Sequence, residues 1–396
     1  MGLHHGAGTG EHRRHPVLAR HHRRVHRHQC EHGDGQAAVP HHHRSGIRSP
    51  RPRPSVPARI PPAGRPRDLR VTRIAWVVGS GGLLGGAIAV EVAQRPGWTL
   101  FPSPALPWAD PDAVTDLART AVRALIHEAA EADADWSIIW AAGAGVIGTS
   151  PEQLDREIEQ FTAVLDVVAQ EAGGTAAAPR GSVFFSSSAG GVYGGSASPP
   201  YTENTAPVPL SPYGATKLRM EAVAVRFSER SGISLLIGRI ANVYGPGQKL
   251  GKMQGLISHM AKAQYSPSPA NIFVPLDTVR DYIYVTDCAA LICDGIDRLG
   301  VARGAADAPD ARAQQVVKII ASGQAVTIGS LIGYFRGVAR HNPNIMLGSS
   351  PTVSMQALDL RLRSVVWPEL DERPLTPLPA GIHATMLDIV GGIQAG

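Results

Sequence analysis

The sequence predicts an α/β protein with a doubly wound parallel sheet and a smaller C-terminal lobe. Three observations carry this prediction: short apolar runs, helical patterns between those runs, and a glycine-rich turn directly after the first run. Short runs rich in Val and Ile are typical of strands buried on both faces. Strands that alternate with helices pair in parallel, because each helix carries the chain back across the sheet.

The predicted elements follow one another from residue 74 onwards. We expect strands at 74–78, 98–101, 136–142, 183–185, 234–240, 274–285 and 316–320. We expect helices at 83–95, 113–130, 151–171, 212–230 and 328–339. Ser150-Pro151 and Ser211-Pro212 each place a capping serine before a proline, which is the usual start of a helix.

The first 70 residues differ in composition from the rest of the chain. They contain 14 Arg, no Lys, four acidic residues and no Phe, Trp or Tyr. Such a segment cannot bury enough apolar surface to offset its ordering entropy, so we expect a disordered leader at 1–70. Three interpretations compete: Arg residues that bind an anionic surface, histidines that bind metal adventitiously, or an artefact of start-site choice. The abrupt start of the first strand after residue 70 favours the last.

Charge and cysteine content exclude several classes of protein. The formal net charge of +5 comes from the leader, because the remaining residues carry 24 basic and 29 acidic side chains. We therefore expect no nucleic-acid partner. Cys30, Cys288 and Cys293 suit neither a zinc site nor a disulfide framework, so we expect a cytoplasmic protein with no metal centre. No apolar run reaches about 18 residues, so we expect no membrane span.

The glycine-rich turn at 79–85 predicts a dinucleotide site. A first glycine allows the tight turn, a second lets the backbone approach a pyrophosphate, and the following helix N-terminus supplies amides. The alternative is a glycine-rich turn without a ligand. The end of the third strand lies at the same edge of a parallel sheet. The candidate cofactor-binding residues are Gly79, Gly81, Gly82, Leu83, Leu84, Gly85, Ala141, Ala142 and Gly143, with Tyr213 and Lys217.

Tyr213 and Lys217 are four residues apart on one predicted helix, so they share a face. A phenol ordinarily ionises near pH ~10, and a nearby ammonium favours the phenolate. The phenolate can then remove a proton from a substrate hydroxyl. Ser187 and Ser188 lie at the end of a predicted strand, where a hydroxyl can orient the reacting oxygen. Each feature alone is also explained by ordinary packing or capping, but their combination with the glycine turn favours catalysis.

These motifs resemble the extended short-chain dehydrogenase/reductase family, in its NAD-dependent nucleotide-sugar epimerase/dehydratase branch (UDP-glucose 4-epimerase-like). The resemblance covers nearly all of 71–396. It is carried by the segments 79–85, 186–194, 211–217, 239–247 and 280–285. It implies a Rossmann fold, with a dinucleotide-binding domain at 71–241. Residues 242–396 would form mainly a substrate-binding lobe, with some return to the Rossmann core.

The resemblance also implies a role for each motif residue. Tyr213 is the base and Lys217 its electrostatic partner. The hydroxyl partner is Ser188, or Ser187 because the spacing to Tyr193 is one residue longer than usual. The implied substrate-binding residues are Ser188, Tyr213, Asn242, Gly255, Leu256 and Arg280, with Arg280 bound to the diphosphate.

The expected cofactor and reaction depend on where this sequence departs from the pattern of that family. The stretch 99–103 lacks the acid expected at the adenosine ribose, and no nearby Arg replaces it, so NAD is favoured and NADP is not excluded. Ala189-Gly190-Gly191 cannot transfer protons, which disfavours dehydration.

We therefore predict a 4-epimerase of a nucleotide sugar that works through a transient 4-keto intermediate. The alternatives are a 4-ketoreductase of a nucleotide deoxysugar and a non-catalytic dinucleotide-binding sensor or scaffold. The apolar faces of helices 151–171 and 212–230 suit either a homodimer or packing within one chain.

Overall fold

A computed structural model gives the fold of residues 72–102, 104–146, 148–249, 255–304, 313–339, 342–348 and 354–395. The predicted disordered leader lies outside these described residues. The strands are β1 (Arg73–Val78), β2 (Trp98–Leu100), β3 (Asp135–Trp140), β4 (Gly181–Ser188), β5 (Ser234–Ile240), β6 (Asn242–Tyr244), β7 (Ala270–Ile272), β8 (Val279–Arg280), β9 (Tyr282–Tyr284), β10 (Gln315–Ile320), β11 (Val326–Thr327), β12 (Ile345–Leu347) and β13 (Asp359–Leu360).

Helices connect these strands throughout the described part of the chain. They are α1 (Leu83–Gln94), α2 (Pro111–Glu131), α3 (Pro151–Ala172), α4 (Ala189–Val192), α5 (Pro212–Ser231), α6 (Leu256–Ala263), α7 (Val285–Gly304), α8 (Ile328–Ala339) and α9 (Leu378–Ala395).

A six-stranded parallel sheet forms the centre of the fold. Its strand order is β10-β5-β4-β3-β1-β2, and every neighbouring pair is parallel. Helices α2, α3 and α5 cover one face through one apolar cluster, and α1 and α7 cover the other through a second cluster. The predicted doubly wound sheet is confirmed. Because the strands are parallel, β1, β3, β4 and β5 all end at one edge, where the chemistry-bearing residues were predicted.

The apolar stripe of α3 is buried within the chain. Leu154, Ile158, Phe161, Leu165 and Val168 are each at most 9% exposed. The outward surface of α3 and α5 instead carries exposed ion pairs between the two helices. The apolar stripe of α3 therefore stabilises the monomer, and the homodimer stays a prediction.

The C-terminal half of the chain builds smaller sheets. Their strand orders are β11-β8-β13, β12-β7 and β6-β9, while β10 returns to the large sheet beside β5. Helices α6, α8 and α9 pack together around a third apolar cluster. Helices α7 and α9 were not predicted, although their apolar residues recur at helical spacing.

The single strand predicted at 274–285 was wrong. The structure divides this segment into β8 and β9, which belong to different sheets, with Asp281 between them. Asp281 is fully buried, and its Oδ1 accepts hydrogen bonds from the backbone nitrogen and the hydroxyl of Ser322. Its carbonyl accepts from the backbone nitrogen and Nδ2 of Asn242. These bonds turn the chain within the segment for which a single strand was predicted.

A buried lysine ties β10 to the segment that follows β13. Lys318 is fully buried, and its Nζ lies 2.7 Å from Asp371 Oδ2 and 2.8 Å from Ser364 Oγ. Removing one partner of a buried pair leaves an uncompensated charge, which costs far more than losing a surface pair.

We expect Asp371→Asn to lower the free energy of unfolding by about 3 kcal/mol, because it removes the ion-pair partner of the buried Lys318 ammonium. Urea denaturation measures this loss. Glu369→Gln is the matched control, since Glu369 lies in the same segment but forms an exposed pair with Arg298. Equal stability of the two variants would contradict the assignment.

Candidate active site

The turn between β1 and α1 leaves the first backbone N–H groups of α1 without a side-chain cap. Gly79 has a φ of +93°, and a Cβ there would lie 2.6 Å from the backbone nitrogen of Ala142. A Cβ on Gly85 would lie 2.2 Å from the carbonyl oxygen of Gly79. Gly81 has no such neighbour, and no side chain caps α1 at Gly82. The turn is therefore fixed by close packing, while the first turn of α1 offers donors suited to phosphate.

One cavity of about 910 Å³ lies at the carboxyl ends of β3, β4 and β5 and reaches α1 and α6. The predicted site residues that line it are Leu83, Leu84, Ala141, Ala142, Gly143, Ser187, Ser188, Tyr213, Lys217, Asn242, Gly255, Leu256 and Arg280. Of the other four, Gly79, Gly81 and Gly82 form the turn before Leu83, and Gly85 lies in the first turn of α1. The fold thus brings the predicted residues together, and their individual roles stay predictions.

The N-terminal end of α5 presents Tyr213 and Lys217 to this cavity. Ser211 caps the helix by accepting a hydrogen bond from the backbone nitrogen of Gly214. Lys217 is only 5% exposed, and its Nζ lies 5.7 Å from the ring centre of Tyr213 and 5.3 Å from that of Phe185. The helix therefore places the ammonium of Lys217 next to the phenol ring of Tyr213, as their spacing in the sequence predicts.

The two candidate serines have different surroundings. Ser187 is buried, and its hydroxyl donates to Glu221 Oε1 at 2.6 Å. Ser188 is half-buried and accepts a hydrogen bond from the backbone nitrogen of Gly191, so its own proton remains available to a ligand. A Cβ on Gly191 would lie 3.2 Å from Tyr213 Cε1 and 3.4 Å from Ser188 Cβ, so these two side chains are close neighbours. This geometry favours Ser188 as the hydroxyl partner.

Arg280 is a buried cation held by uncharged partners. Its Nη1 donates to the carbonyls of Val279 and Ala357, and its Nη2 donates to Gln356. No carboxylate of the described residues forms an ion pair with it. Burial lowers the pKa of its guanidinium because the charged form is poorly solvated. An anionic ligand in the cavity would compensate this charge.

Sequence reasoning missed Glu157 on α3. Its Oε1 lies 3.2 Å from Lys217 Nζ, and its Oε2 accepts a hydrogen bond from the backbone nitrogen of Gly145 at 3.0 Å. The side chains of the ion pair are 12% and 7% exposed. Glu157 directly precedes a buried residue of the apolar stripe, and nothing in the periodicity separates it from the other acids of α3.

Lys262 was missed as well, and it changes the charge of the cavity. It lines the cavity together with Lys217, Arg280 and His259, and no Asp or Glu of the described residues lines it. The site therefore favours a polyanionic ligand.

The described residues contain no cluster of three or more His, Cys, Asp or Glu arranged to hold a metal ion. Cys288 and Cys293 are buried free thiols, and burial raises the pKa of both. None of the described helices combines the length and apolar character needed to cross a bilayer.

Comparison with known proteins identifies the family. Residues 75–298 match the profile of the NAD dependent epimerase/dehydratase family. This match spans more than half of the chain, so the protein belongs to that family, and the predicted membership is confirmed.

Named relatives share shorter segments. The dTDP-4-dehydro-6-deoxyglucose reductase of Escherichia coli is 36% identical over 114 residues, which are 28% of this chain and 35% of that protein. The dTDP-L-rhamnose 4-epimerase of Burkholderia thailandensis is 30% identical over 148 residues, or 36% and 41% of the two chains. The chain thus matches about a third of the length of such relatives.

Solved structures share the fold. The UDP-glucose 4-epimerase of Bifidobacterium longum, in complex with NAD+ and UDP, superposes with a TM-score of 0.63 at 18% identity. That alignment covers 82% of this chain and all of the other. RMD from Pseudomonas aeruginosa, complexed with NADPH, gives a TM-score of 0.61 at 21% identity and covers 81% and 99%.

We expect Gly85→Ala to weaken NAD binding and to destabilise the protein by about 1–3 kcal/mol, because the new methyl group collides with the Gly79 carbonyl. Thermal melting and calorimetric titration with NAD measure the two effects. Gly81→Ala should melt like the wild type, since its methyl group meets open space. A Gly85→Ala protein with unchanged melting and NAD affinity would show that the turn is not fixed as described.

Proposed function

We propose that this protein is an NAD-dependent epimerase that inverts C4 of a nucleotide-activated sugar. The observation that carries the proposal is the composition of the cavity. Tyr213, Lys217 and Ser188 share it with the start of α1 and with Arg280, and its charged lining among the described residues is cationic. A nucleotide diphosphate sugar matches this lining, because it brings negative charge to Arg280 and a hydroxyl group to Tyr213.

The residues at the glycine turn fit a dinucleotide. Gly79 and Gly85 keep the turn tight, Gly81 leaves space, and the first turn of α1 has no side-chain cap. We assign the pyrophosphate to this turn and the nicotinamide end to Gly143, Tyr213 and Lys217. When bound there, NAD supplies a hydride acceptor and donor.

The chain's own side chains handle the proton and hold the substrate. Tyr213 takes the proton of the C4 hydroxyl, assisted by the positive charge of Lys217. Ser188 donates a hydrogen bond to the same oxygen. Arg280 and Asn242 hold the diphosphate while the keto sugar presents its other face, and Tyr213 then returns the proton.

A ketoreductase remains the second candidate. The similarity to the Escherichia coli reductase favours it. The two reactions differ in cofactor balance, because an epimerase recycles NAD whereas a reductase consumes reduced cofactor stoichiometrically.

Incubation with a panel of UDP- and dTDP-sugars, with and without added NAD or NADPH, separates the candidates. We expect a C4 isomer of one substrate to form without net change in reduced cofactor, which chromatography and nicotinamide absorbance follow. Stoichiometric oxidation of NADPH with a 4-keto sugar would establish the reductase instead. Failure to turn over any sugar would refute both.

We expect Tyr213→Phe to lower kcat by at least about 100-fold, because it removes the group that transfers the proton. NAD affinity should stay within a few-fold of wild type. Steady-state kinetics and calorimetric titration measure the two effects. Tyr265→Phe serves as the control, because this exposed tyrosine is not part of the cavity lining. Near-normal turnover by Tyr213→Phe would rule out this base.

A further inference from the structure

Three parts of the site meet at two glycines in the loop after β3. A Cβ on Gly143 would lie 2.7 Å from Glu157 Oε1 and 3.6 Å from Lys217 Nζ. A Cβ on Gly145 would lie 3.0 Å from Glu157 Oε2 and 3.4 Å from Tyr213 Cδ2. The carboxylate, the ammonium and the phenol ring therefore crowd around the same short stretch of backbone.

Few other charged side chains of the described residues lie near the Glu157 carboxylate, the Lys217 ammonium and the Tyr213 ring. Lys217 is the cation that pairs with Glu157, and Glu221, one turn further along α5, is bound to Arg239 through both carboxylate oxygens. Neither residues 141–146 nor β4 carries a charged side chain. Elsewhere on α3 and α5, Asp155 pairs with Arg219 at the exposed surface, and Arg156 donates to the carbonyl of Glu152. Arg280 and Lys262 line the same cavity.

We propose that Glu157 is a positioning residue that holds Lys217 beside Tyr213 and limits the positive charge that the phenol meets. The inference rests on the proposed role of Tyr213 as the base. One oxygen of the Glu157 carboxylate binds the Lys217 ammonium, and the other accepts a hydrogen bond from the backbone nitrogen of Gly145. Because the ion pair is mostly buried, its charges are weakly screened, and loss of the carboxylate would leave the charge of Lys217 uncompensated next to the phenol ring.

Titration of the apoprotein tests this without any substrate. The tyrosinate absorbance of each protein is recorded against pH, and the same curve for its Tyr213→Phe counterpart is subtracted, which isolates the ionisation of Tyr213. We expect Glu157→Gln to move this ionisation to lower pH by roughly 0.5–1 pH unit. Glutamine keeps an oxygen that can accept from Gly145. Circular dichroism at each pH confirms that the compared proteins are folded.

Two further variants make the result specific. Glu157→Ala removes the same charge without placing an amide beside Lys217, and it should shift the ionisation in the same direction. Asp155→Asn removes a charge from the same helix and breaks another α3–α5 ion pair, and it should leave the ionisation unchanged. If neither Glu157 variant shifts it, or if Asp155→Asn shifts it equally, the proposal is wrong.

The titration also separates this inference from the proposed reaction. A shift in the apoprotein supports the role of Glu157 even if no sugar of the panel reacts. Conversely, turnover of a nucleotide sugar without any shift would leave the epimerase proposal standing and remove Glu157 from it.

Discussion

A buried ion pair fixes the geometry on which the site depends. Glu221 on α5 binds Arg239 on β5 through both oxygens, at 2.7 and 3.1 Å, and also accepts the hydroxyl of Ser187 at the end of β4. Burial tends to lower the pKa of Arg239, but its hydrogen bonds to Glu221 outweigh burial and raise it. Since Glu221 lies one turn beyond Lys217, this pair sets the position of α5 against the ends of two strands. Such pairs are specific in geometry, because a misplaced partner leaves a charge buried alone.

The same pair explains why adjacent serines differ. Ser187 donates its hydroxyl to the Glu221–Arg239 pair, and the side chain of Ser188, the next residue of the strand, points the opposite way. Arg239 also donates to the hydroxyl of Tyr193, which in turn donates to the carbonyl of Thr202. The network therefore runs from the helix that carries the proposed base to the chain beyond α4. The network thereby fixes α5 against the ends of β4 and β5.

Local chemistry in the sequence was enough to predict the large sheet and most of the cavity lining. The glycine turn, the Tyr213–Lys217 spacing and the capping serine before α5 each depend on a few neighbouring residues, and the fold confirms the elements that hold them. The pairing of Glu157 with Lys217 could not be predicted, because it joins residues 60 positions apart through the packing of α3 against α5. The split of 274–285 into two strands depends in the same way on a distant contact, between Asp281 and Ser322.

Small residues around Tyr213 also bear on the reaction. The sequence suggested that the stretch after Ser188 has no group able to transfer protons, and the structure adds a steric reason. A Cβ at Gly191 would approach Tyr213 and the backbone of Gly214 to 3.2 and 3.3 Å, which is tighter than most Cβ contacts. A side chain at this position would require the phenol ring or α5 to shift by a few tenths of an ångström. The crowding that brings Tyr213 next to Ser188 thus favours glycine at position 191, and the proposed reaction at a single carbinol needs no second acid there.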